Sequence, residues 1–270
     1  MTAAAIPVTP RTAITITVAS VVGLLAFGWP LLANASSALV AHSNDAPWLM
    51  VALLPLVLAV VLADIADGGM DAKAVAILGV MIAVIAALRP LGGGVAGLEP
   101  VWFVVILGGR AFGAGFGFAL GSLGVFASAL TTGGVGPWLP FQMFAAAWVG
   151  VGAALLPPLR GRAEVGMLAA YGAVVGLAVG VLLNLWFWPF TSGLPSSVAY
   201  VGGASIVELL HRLFAFTLLT SLGYDIPRAV LTAGVLLLAA GPVLRALRRV
   251  KRRAAFGTAP IFATAASRDE

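Results

Sequence analysis

The sequence predicts an all-α protein that crosses a membrane many times, and three observations support this fold class. Hydrophobic residues make up 61% of the 270 residues, charged residues only 9%, and the mean hydropathy is +1.08. A soluble domain of this size would present far more polar surface to water. Apolar runs of about 16–22 residues recur along the chain, close to the length that an α-helix needs to cross the hydrocarbon layer.

We predict eight membrane-spanning segments. Two N-terminal helices, within residues 13–63, precede a six-helix core within residues 72–250. Residues 1–12 are expected to be disordered, and residues 254–270 to form a polar tail. The first apolar run resembles a signal peptide, but only Arg11 precedes it and no convincing cleavage site follows, so we interpret it as a retained span. The predicted spans are residues 13–32, 48–63, 73–88, 101–109, 111–130, 140–156, 164–186 and 227–247.

The apolar stretch at 101–130 is too long for one upright span and too short for two full ones. We therefore place a break at its glycines, near Gly109. Beyond the break, Gly113, Gly117 and Gly121 recur every fourth residue and so share one helix face. Such a face lets a neighbouring membrane helix approach closely. Packing within the same chain is the favoured interpretation, and packing against a partner protein is the alternative.

The motifs of nucleotide binding and of catalysis are missing from the sequence. The run Gly-Ala-Gly-Phe-Gly at 113–117 follows no predicted strand and does not fit GxGxxG. Lys73 and Lys251 follow no GxxxxG pattern, so the chain has no Walker A motif for ATP hydrolysis. No Ser-His-Asp or GxSxG arrangement is present, and the acidic residues cluster at loop edges rather than in mid-span. We therefore expect no enzymatic activity.

Metal binding is also disfavoured by the residue types available. Cysteine is absent, which excludes disulfides and thiolate metal sites. His42 and His211 lie far apart in sequence, and neither has the spacing of a known ligand pair. We expect neither a metal site nor a cofactor.

Basic residues are concentrated after the last span. Binding of nucleic acid is one interpretation, but an anchor at an anionic cytoplasmic membrane surface is favoured, and we expect no nucleic-acid partner. With this end inside, Lys73 and Arg110 are also inside, and only three of 15 basic residues, Arg89, Arg212 and Arg228, are outside. We expect a plasma-membrane protein with a cytoplasmic C-terminus. The C-terminal cluster consists of Arg245, Arg248, Arg249, Lys251, Arg252 and Arg253.

This topology gathers aromatic and amide side chains at the outer face. Aromatic rings supply buried contact area and a few polar groups supply orientation, which is what small-molecule capture requires. We predict that Trp138 stacks on a ligand and that Gln142 orients it, and an ordinary aromatic belt is the alternative. The candidate substrate-binding residues are Glu99, Trp102, Trp138, Gln142, Asn184, Trp186 and Trp188.

Residues 206–222 are predicted to form a helical cap over the outer pocket rather than a span. A full crossing there would separate the basic turn after residue 156 from the basic C-terminus, and it would place charged residues in the apolar layer. On a cap, Glu208 and Arg212 can pair one turn apart. The apolar face that would contact the bundle carries Leu209, Leu213 and Phe216.

The first core span carries a stripe of small residues on one face. Their spacing of three or four residues keeps them in line along a helix. Such a stripe allows another helix to approach closely in a membrane. The stripe consists of Ala72, Ala76, Gly79, Ala83 and Ala87.

Three stretches together resemble the substrate-binding S components of energy-coupling factor transporters. They are FGFALGSLGVFASALTTGGVGPWLPFQMFAAAWVG, AAYGAVVGLAVGVLLNLWFWPF and TSLGYDIPRAVLTAGVLLLAAGPVLRALRR. The element GVGPWLPFQM is the most specific part, and the resemblance covers roughly residues 72–250. The two N-terminal spans depart from the six-helix core of that family.

The resemblance implies a division of labour among several proteins. S components bind a vitamin, a vitamin precursor or a metal ion at the extracellular side, and they dock on a transmembrane T component driven by two ABC ATPases. The Ala-x-x-x-Ala docking motif of the family matches Ala72 and Ala76, and we extend the docking face to Gly79 and Ala83. Because the predicted pocket is rich in aromatics and poor in charge, we expect a vitamin-like organic substrate rather than a bare metal ion.

Two other classes of function stay open. A stand-alone secondary transporter or channel would show an internal inverted repeat or charged residues in mid-membrane, and we identify neither in the sequence. A membrane-embedded enzyme or assembly factor is the third class. Genes for ATPases and a T component beside this one would favour the S-component hypothesis.

Overall fold

The computed structural model describes residues 8–32, 71–92 and 97–254, together with short pieces between 55 and 67. Every regular element in these ranges is helical. Residues 1–7, most of the predicted span 48–63 and the tail from residue 255 onward lie outside the described residues. The helices are α1 (Pro10–Leu32), α2 (Ala72–Gly92), α3 (Trp102–Phe112), α4 (Ala114–Thr132), α5 (Leu139–Leu155), α6 (Gly161–Phe187), the 3₁₀ turn Trp188–Phe190, α7 (Ile206–Thr220) and α8 (Leu222–Ala254).

Five of the described helices, namely α1, α2, α4, α6 and α8, are long and apolar enough to cross a membrane. This agrees with the prediction of an all-α, multi-pass membrane protein. α5 has 17 residues and α3 only 11. Eleven residues extend about 16 Å, roughly half of a hydrocarbon layer of about 30 Å, so α3 does not cross that layer by itself.

The break within the long apolar stretch lies at Gly113, four residues after the predicted position. Gly113 has φ of 104° and separates α3 from α4. This backbone conformation is strained for residues with a side chain, so glycine permits the chain to reverse here. α3 and α4 then pack side by side, because a Cβ built on Gly117 would lie 3.0 Å from the Cα of Gly109.

Glycines also bring α4 and α5 into backbone contact. A Cβ on Gly121 would lie 2.2 Å from the carbonyl oxygen of Ala146, and one on Gly117 would lie 2.5 Å from that of Gly150. Both separations are too short for a real side chain, so only glycine permits this approach. The prediction that the glycine face packs within the same chain is confirmed.

A second glycine seam joins α6 to α8, and the sequence analysis did not identify it. A Cβ on Gly176 would lie 2.4 Å from the Cα of Ala229, and one on Gly180 would lie 2.0 Å from Oδ1 of Asp225. Gly172, one turn earlier, faces Thr232 in the same way. The seam therefore allows Asp225 and Thr232 of α8 to pack closely against the backbone of α6.

Basic residues of α2, α3 and α8 meet at one end of the bundle, which we call the basic end. Lys73 Nζ donates to the carbonyl of Ala254 at 2.8 Å, and Lys251 Nζ donates to that of Ala111 at 3.0 Å. Arg110 contacts Glu164 in the first turn of α6 at 2.7 Å. The structure thus groups Lys73 and Arg110 with the C-terminal cluster, as the charge pattern predicts.

α7 has the contacts predicted for the cap. Leu209, Leu213 and Phe216 are buried, and Arg212 pairs with Glu208 at 2.8 Å. The hydroxyl of Ser205 caps the first turn by accepting from the backbone N–H of Glu208 at 3.3 Å. The helix has 15 residues, fewer than the roughly 20 that a full crossing requires.

Candidate binding site

A charged cluster lies between the loop before α3, the middle of α6 and the start of α8. Arg228 is at its centre: Nε donates to Oε2 of Glu99 at 3.1 Å, and Nη1 donates to Oδ1 of Asp225 at 2.8 Å and to the carbonyl of Gly176 at 3.2 Å. Asp225 is 2% exposed and Arg228 is 8% exposed. Buried charges persist in proteins only when they are paired, and here each has a partner.

Hydrogen bonds extend this cluster in both directions. Trp102 Nε1 donates to Oε2 of Glu99 at 2.7 Å. On the other side, Ser221 Oγ donates to Oδ2 of Asp225 at 2.7 Å, and Asn184 Nδ2 donates to Ser221 Oγ at 2.8 Å. Three of the residues predicted from sequence, Glu99, Trp102 and Asn184, are therefore joined. The Arg228 network consists of Glu99, Trp102, Asn184, Thr217, Ser221, Asp225 and Arg228.

The Arg228 network lies far along α6 from the basic end. Gly176, whose carbonyl accepts from Arg228, is about 18 Å along α6 from Glu164 at the basic end, at about 1.5 Å per residue. The network reaches Asn184, about 30 Å from Glu164 along the same helix at about 1.5 Å per residue. α8 begins at Leu222 and not at the predicted residue 227, so Asp225 lies in the first turn of this helix, where it is buried.

The sequence did contain a signal for this pair. Asp225 and Arg228 are three residues apart, which places them on one helix face, and the next charged residue of α8 is Arg245. Gly180 is part of a series of glycines at every fourth residue of α6, and its missing side chain leaves the space that the Asp225 carboxylate occupies. Neither feature points to Glu99, which is 129 residues from Arg228 in sequence.

An apolar cavity of about 380 Å³, open at the surface of the bundle, lies between α6, α7 and α8, beside the Arg228 network. Leu177, Val181 and Phe214 are among its apolar lining residues, and Thr217 and Asp225 are its polar ones. Asn184 Nδ2 donates to Thr217 Oγ1 at 3.2 Å, so the network is hydrogen-bonded to a residue of the cavity lining. The volume and the mixture of apolar walls with a few polar groups are typical of small-molecule sites.

Gln142 and Trp138 lie away from this cavity and have other contacts. Gln142 Oε1 accepts from Nη2 of Arg89 at 2.9 Å, and Nη1 of the same arginine donates to Ser128 Oγ at 2.8 Å. Trp138 is 43% exposed, and its Nε1 donates to the carbonyl of Gly134 within its own turn at 3.1 Å. The structure does not bring Trp138 and Gln142 to a common partner, and their role in ligand binding stays a prediction.

Trp186 and Trp188 are buried core residues and do not line the cavity. Trp186 stacks on Phe141, with ring centroids 4.5 Å apart and planes 5° from parallel. Trp188 is fully buried and donates to the carbonyl of Val198 at 2.7 Å. Tyr200 packs on Trp188, and its partly buried hydroxyl, whose pKa is raised by desolvation, donates to the carbonyl of Pro30 at 3.0 Å. These rings fix the segment that leads into α7.

The stripe of small residues on α2 faces away from the bundle. Leu78 and Ile85 occupy the buried face of α2, whereas the stripe residues are exposed. A Cβ built on Gly79 would meet no atom within 4 Å. Val75 and Val84, both exposed, lie on either side, so the stripe forms a shallow groove between two ridges. The exposed stripe residues are Ala72, Ala76, Gly79, Ala83 and Ala87.

Comparison with known proteins adds no identification. In the part of the chain that the structure describes, no group of three or more His, Asp or Glu side chains is placed to hold a metal ion. No family model, no curated protein and no solved structure matches this sequence.

Proposed function

We propose that this protein is the substrate-binding S component of an importer of the energy-coupling factor type. In this proposal it captures a small organic micronutrient at the end of the bundle opposite the basic end. The observation that carries the proposal is the apolar cavity between α6, α7 and α8, which adjoins the buried Arg228 network. A ligand-sized cavity beside fixed polar groups is suited to bind a transported small molecule.

The chemistry of the cavity favours an uncharged organic ligand. Asp225, its one acidic lining residue, already pairs with Arg228 at 2.8 Å. Binding a free cation there would break this pair and leave a buried guanidinium with less compensation. The aliphatic walls and Phe214 offer contact area, and Thr217 and Asp225 can orient a hydroxyl or amide group.

The groove on α2 supports the proposed partner. Lipid-facing positions of membrane helices usually carry long apolar side chains, whereas helix contacts in membranes are enriched in small residues. Energy for import would come from ATPases bound to a T component, because this chain has no Walker A motif. We place the basic end in the cytoplasm of a cell with this protein in its plasma membrane.

Co-purification tests the partner directly. The tagged protein is purified in mild detergent from the cells that make it, and associated proteins are identified by mass spectrometry. We expect a multi-pass membrane protein and ABC ATPases with the unmodified protein, and their loss with Ala76→Trp. Val174→Trp, which places the same ring at an exposed position on α6, serves as the control and should keep the partners. Partners retained by Ala76→Trp would place the docking face elsewhere.

A stand-alone secondary transporter is the second candidate, and one observation favours it. Arg228, in the second turn of α8, is shared between the buried carboxylate of Asp225 and the half-exposed carboxylate of Glu99. Paired ionisable residues within membrane helices often mark the ion or proton pathways of transporters. Accumulation of substrate in proteoliposomes that contain only this chain, driven by a pH gradient and without ATP, would favour this candidate over the S component.

A further inference from the structure

A second, strongly cationic cavity lies at the basic end. It has a volume of about 480 Å³ and is lined by four arginines together with Pro158 and Leu159. The arginines come from three parts of the chain: the end of α3, the turn before α6 and the last turns of α8. They are Arg110, Arg160, Arg248 and Arg252.

One carboxylate compensates only part of this charge. Glu164 accepts from Arg110 at 2.7 Å and from Arg248 at 2.6 Å, and Arg110 is further fixed by the carbonyls of Leu156 and Pro157. Arg160 and Arg252 have no hydrogen-bond or ion-pair partner in the described part of the chain. Two free guanidinium groups therefore line a cavity that already carries excess positive charge.

An apolar groove of about 670 Å³ adjoins the cationic cavity and shares Arg248 with it. The groove lies between α6 and α8, and Val165, Leu237 and Leu238 contribute to its walls. Gly166 borders open space in the groove, since a Cβ at this position would meet no atom within 4 Å. A cationic cavity thus adjoins a mainly apolar groove that has exposed leucines, Leu237 and Leu238, in its wall. The groove lining also includes Arg162, Glu164 and Arg245.

We infer that this site binds an anionic phospholipid, with its phosphate group between Arg160, Arg248 and Arg252 and an acyl chain in the groove between α6 and α8. Guanidinium groups bind phosphate oxygens through paired hydrogen bonds. Basic pockets between membrane helices at the cytoplasmic side are suited to anionic head groups. A free phosphate ion would use the arginines but would leave the groove unoccupied.

Native mass spectrometry of the full chain in detergent tests the head-group site. Phosphatidylglycerol and phosphatidylcholine with the same acyl chains are titrated separately, and phosphatidylglycerol should bind more tightly. The variant Arg160→Gln/Arg252→Gln should bind phosphatidylglycerol about 25-fold more weakly, because about 1 kcal/mol per cation corresponds to about fivefold for each. Arg249→Gln/Arg253→Gln removes the same charge from exposed positions outside the cavity and should change the affinity little. Equal losses in both variants, or no preference for phosphatidylglycerol, would overturn the proposal.

A second variant separates the lipid from a free phosphate ion. Gly166→Leu fills the groove and leaves the arginines in place, so it should weaken phosphatidylglycerol binding at least tenfold, a loss of about 1.4 kcal/mol. The same variant should leave stabilisation by inorganic phosphate, measured as a shift in unfolding temperature, as it is in the unmodified protein. If Gly166→Leu binds phosphatidylglycerol with unchanged affinity, the groove holds no acyl chain and the lipid assignment is wrong.

Discussion

Asp225 and Arg228 form a 2.8 Å ion pair within one turn of α8, with side-chain exposures of only 2% and 9%. The pair has room because the facing residue of α6 is Gly180, whose missing Cβ would otherwise lie 2.0 Å from the carboxylate. The glycine seam and the buried charge are therefore one feature of the structure. This arrangement connects the packing of two membrane helices with the candidate site beside them.

Substitution of Gly180 tests this connection. In Gly180→Ala the new methyl group displaces the Asp225 carboxylate, and we expect the protein to lose about 1–3 kcal/mol of stability, the usual cost of overpacking. Gly234→Ala is the matched control, since a Cβ there meets no atom within 4 Å and alanine favours the helix by about 0.5–1 kcal/mol. Thermal unfolding in detergent should shift in opposite directions for the two variants. A loss of stability in both would show that the carboxylate contact is not the cause.

The two members of the ion pair should respond unequally to removal of their charge. Arg228→Gln leaves the carboxylates of Asp225 and Glu99 without a cation, and we expect a loss of about 3–5 kcal/mol, as for other broken buried pairs. Asp225→Asn leaves Arg228 paired with Glu99 at 3.1 Å, so the loss should be smaller, about 1–3 kcal/mol. Chemical unfolding measures both. Equal losses would mean that Glu99 does not compensate Arg228.

The position of α7 can be tested by labelling, because the chain has no native cysteine. Ser205→Cys and Tyr224→Cys lie just outside the two ends of α7, and a membrane-impermeant thiol reagent should label both from outside intact cells. Ala163→Cys, exposed at the basic end, should react only after lysis. Labelling of residue 205 from outside and of residue 224 only after lysis would mean that α7 crosses the membrane.

Local patterns in the sequence predicted much of this fold. Glycines at every fourth residue predicted the close approach of α4 to another helix, and a four-residue separation predicted the pair of Glu208 with Arg212. Both depend on helix geometry alone, which the sequence carries directly. The break between α3 and α4 was displaced to Gly113, because several neighbouring glycines can adopt its conformation and only tertiary packing selects one.

The candidate site was harder to predict because it depends on contacts between distant parts of the chain. Glu99, Trp102 and Asn184 were selected as polar or aromatic residues at one end, and the network does join them. From the sequence, Arg228 was expected on the outer side and acidic residues such as Asp225 at the edges of loops. Their burial follows from the glycine seam between α6 and α8, which requires both helices to be placed first.

The role of Trp138 is testable by substitution. If this ring stacks on the ligand, as the sequence predicts, Trp138→Ala should weaken ligand binding by roughly 1–3 kcal/mol, the contribution of a buried aromatic side chain. In the structure Trp138 instead packs on its own turn and is 43% exposed. Equilibrium dialysis with the identified ligand measures whether Trp138 contributes to ligand binding or only packs on its own turn. An unchanged dissociation constant would remove Trp138 from the site.

The central claim is that the cavity between α6, α7 and α8 holds a small organic molecule. The most direct measurement is mass spectrometry of the molecules released by denaturing the protein after purification from the cells that make it. We predict one organic compound in stoichiometric amount from the unmodified protein and from Val174→Trp. We predict at least a tenfold lower amount, corresponding to about 1.4 kcal/mol or more of lost affinity, from Val181→Trp, which fills the cavity from the same helix. Equal amounts from Val181→Trp and Val174→Trp, or no such compound from the unmodified protein, would contradict the claim.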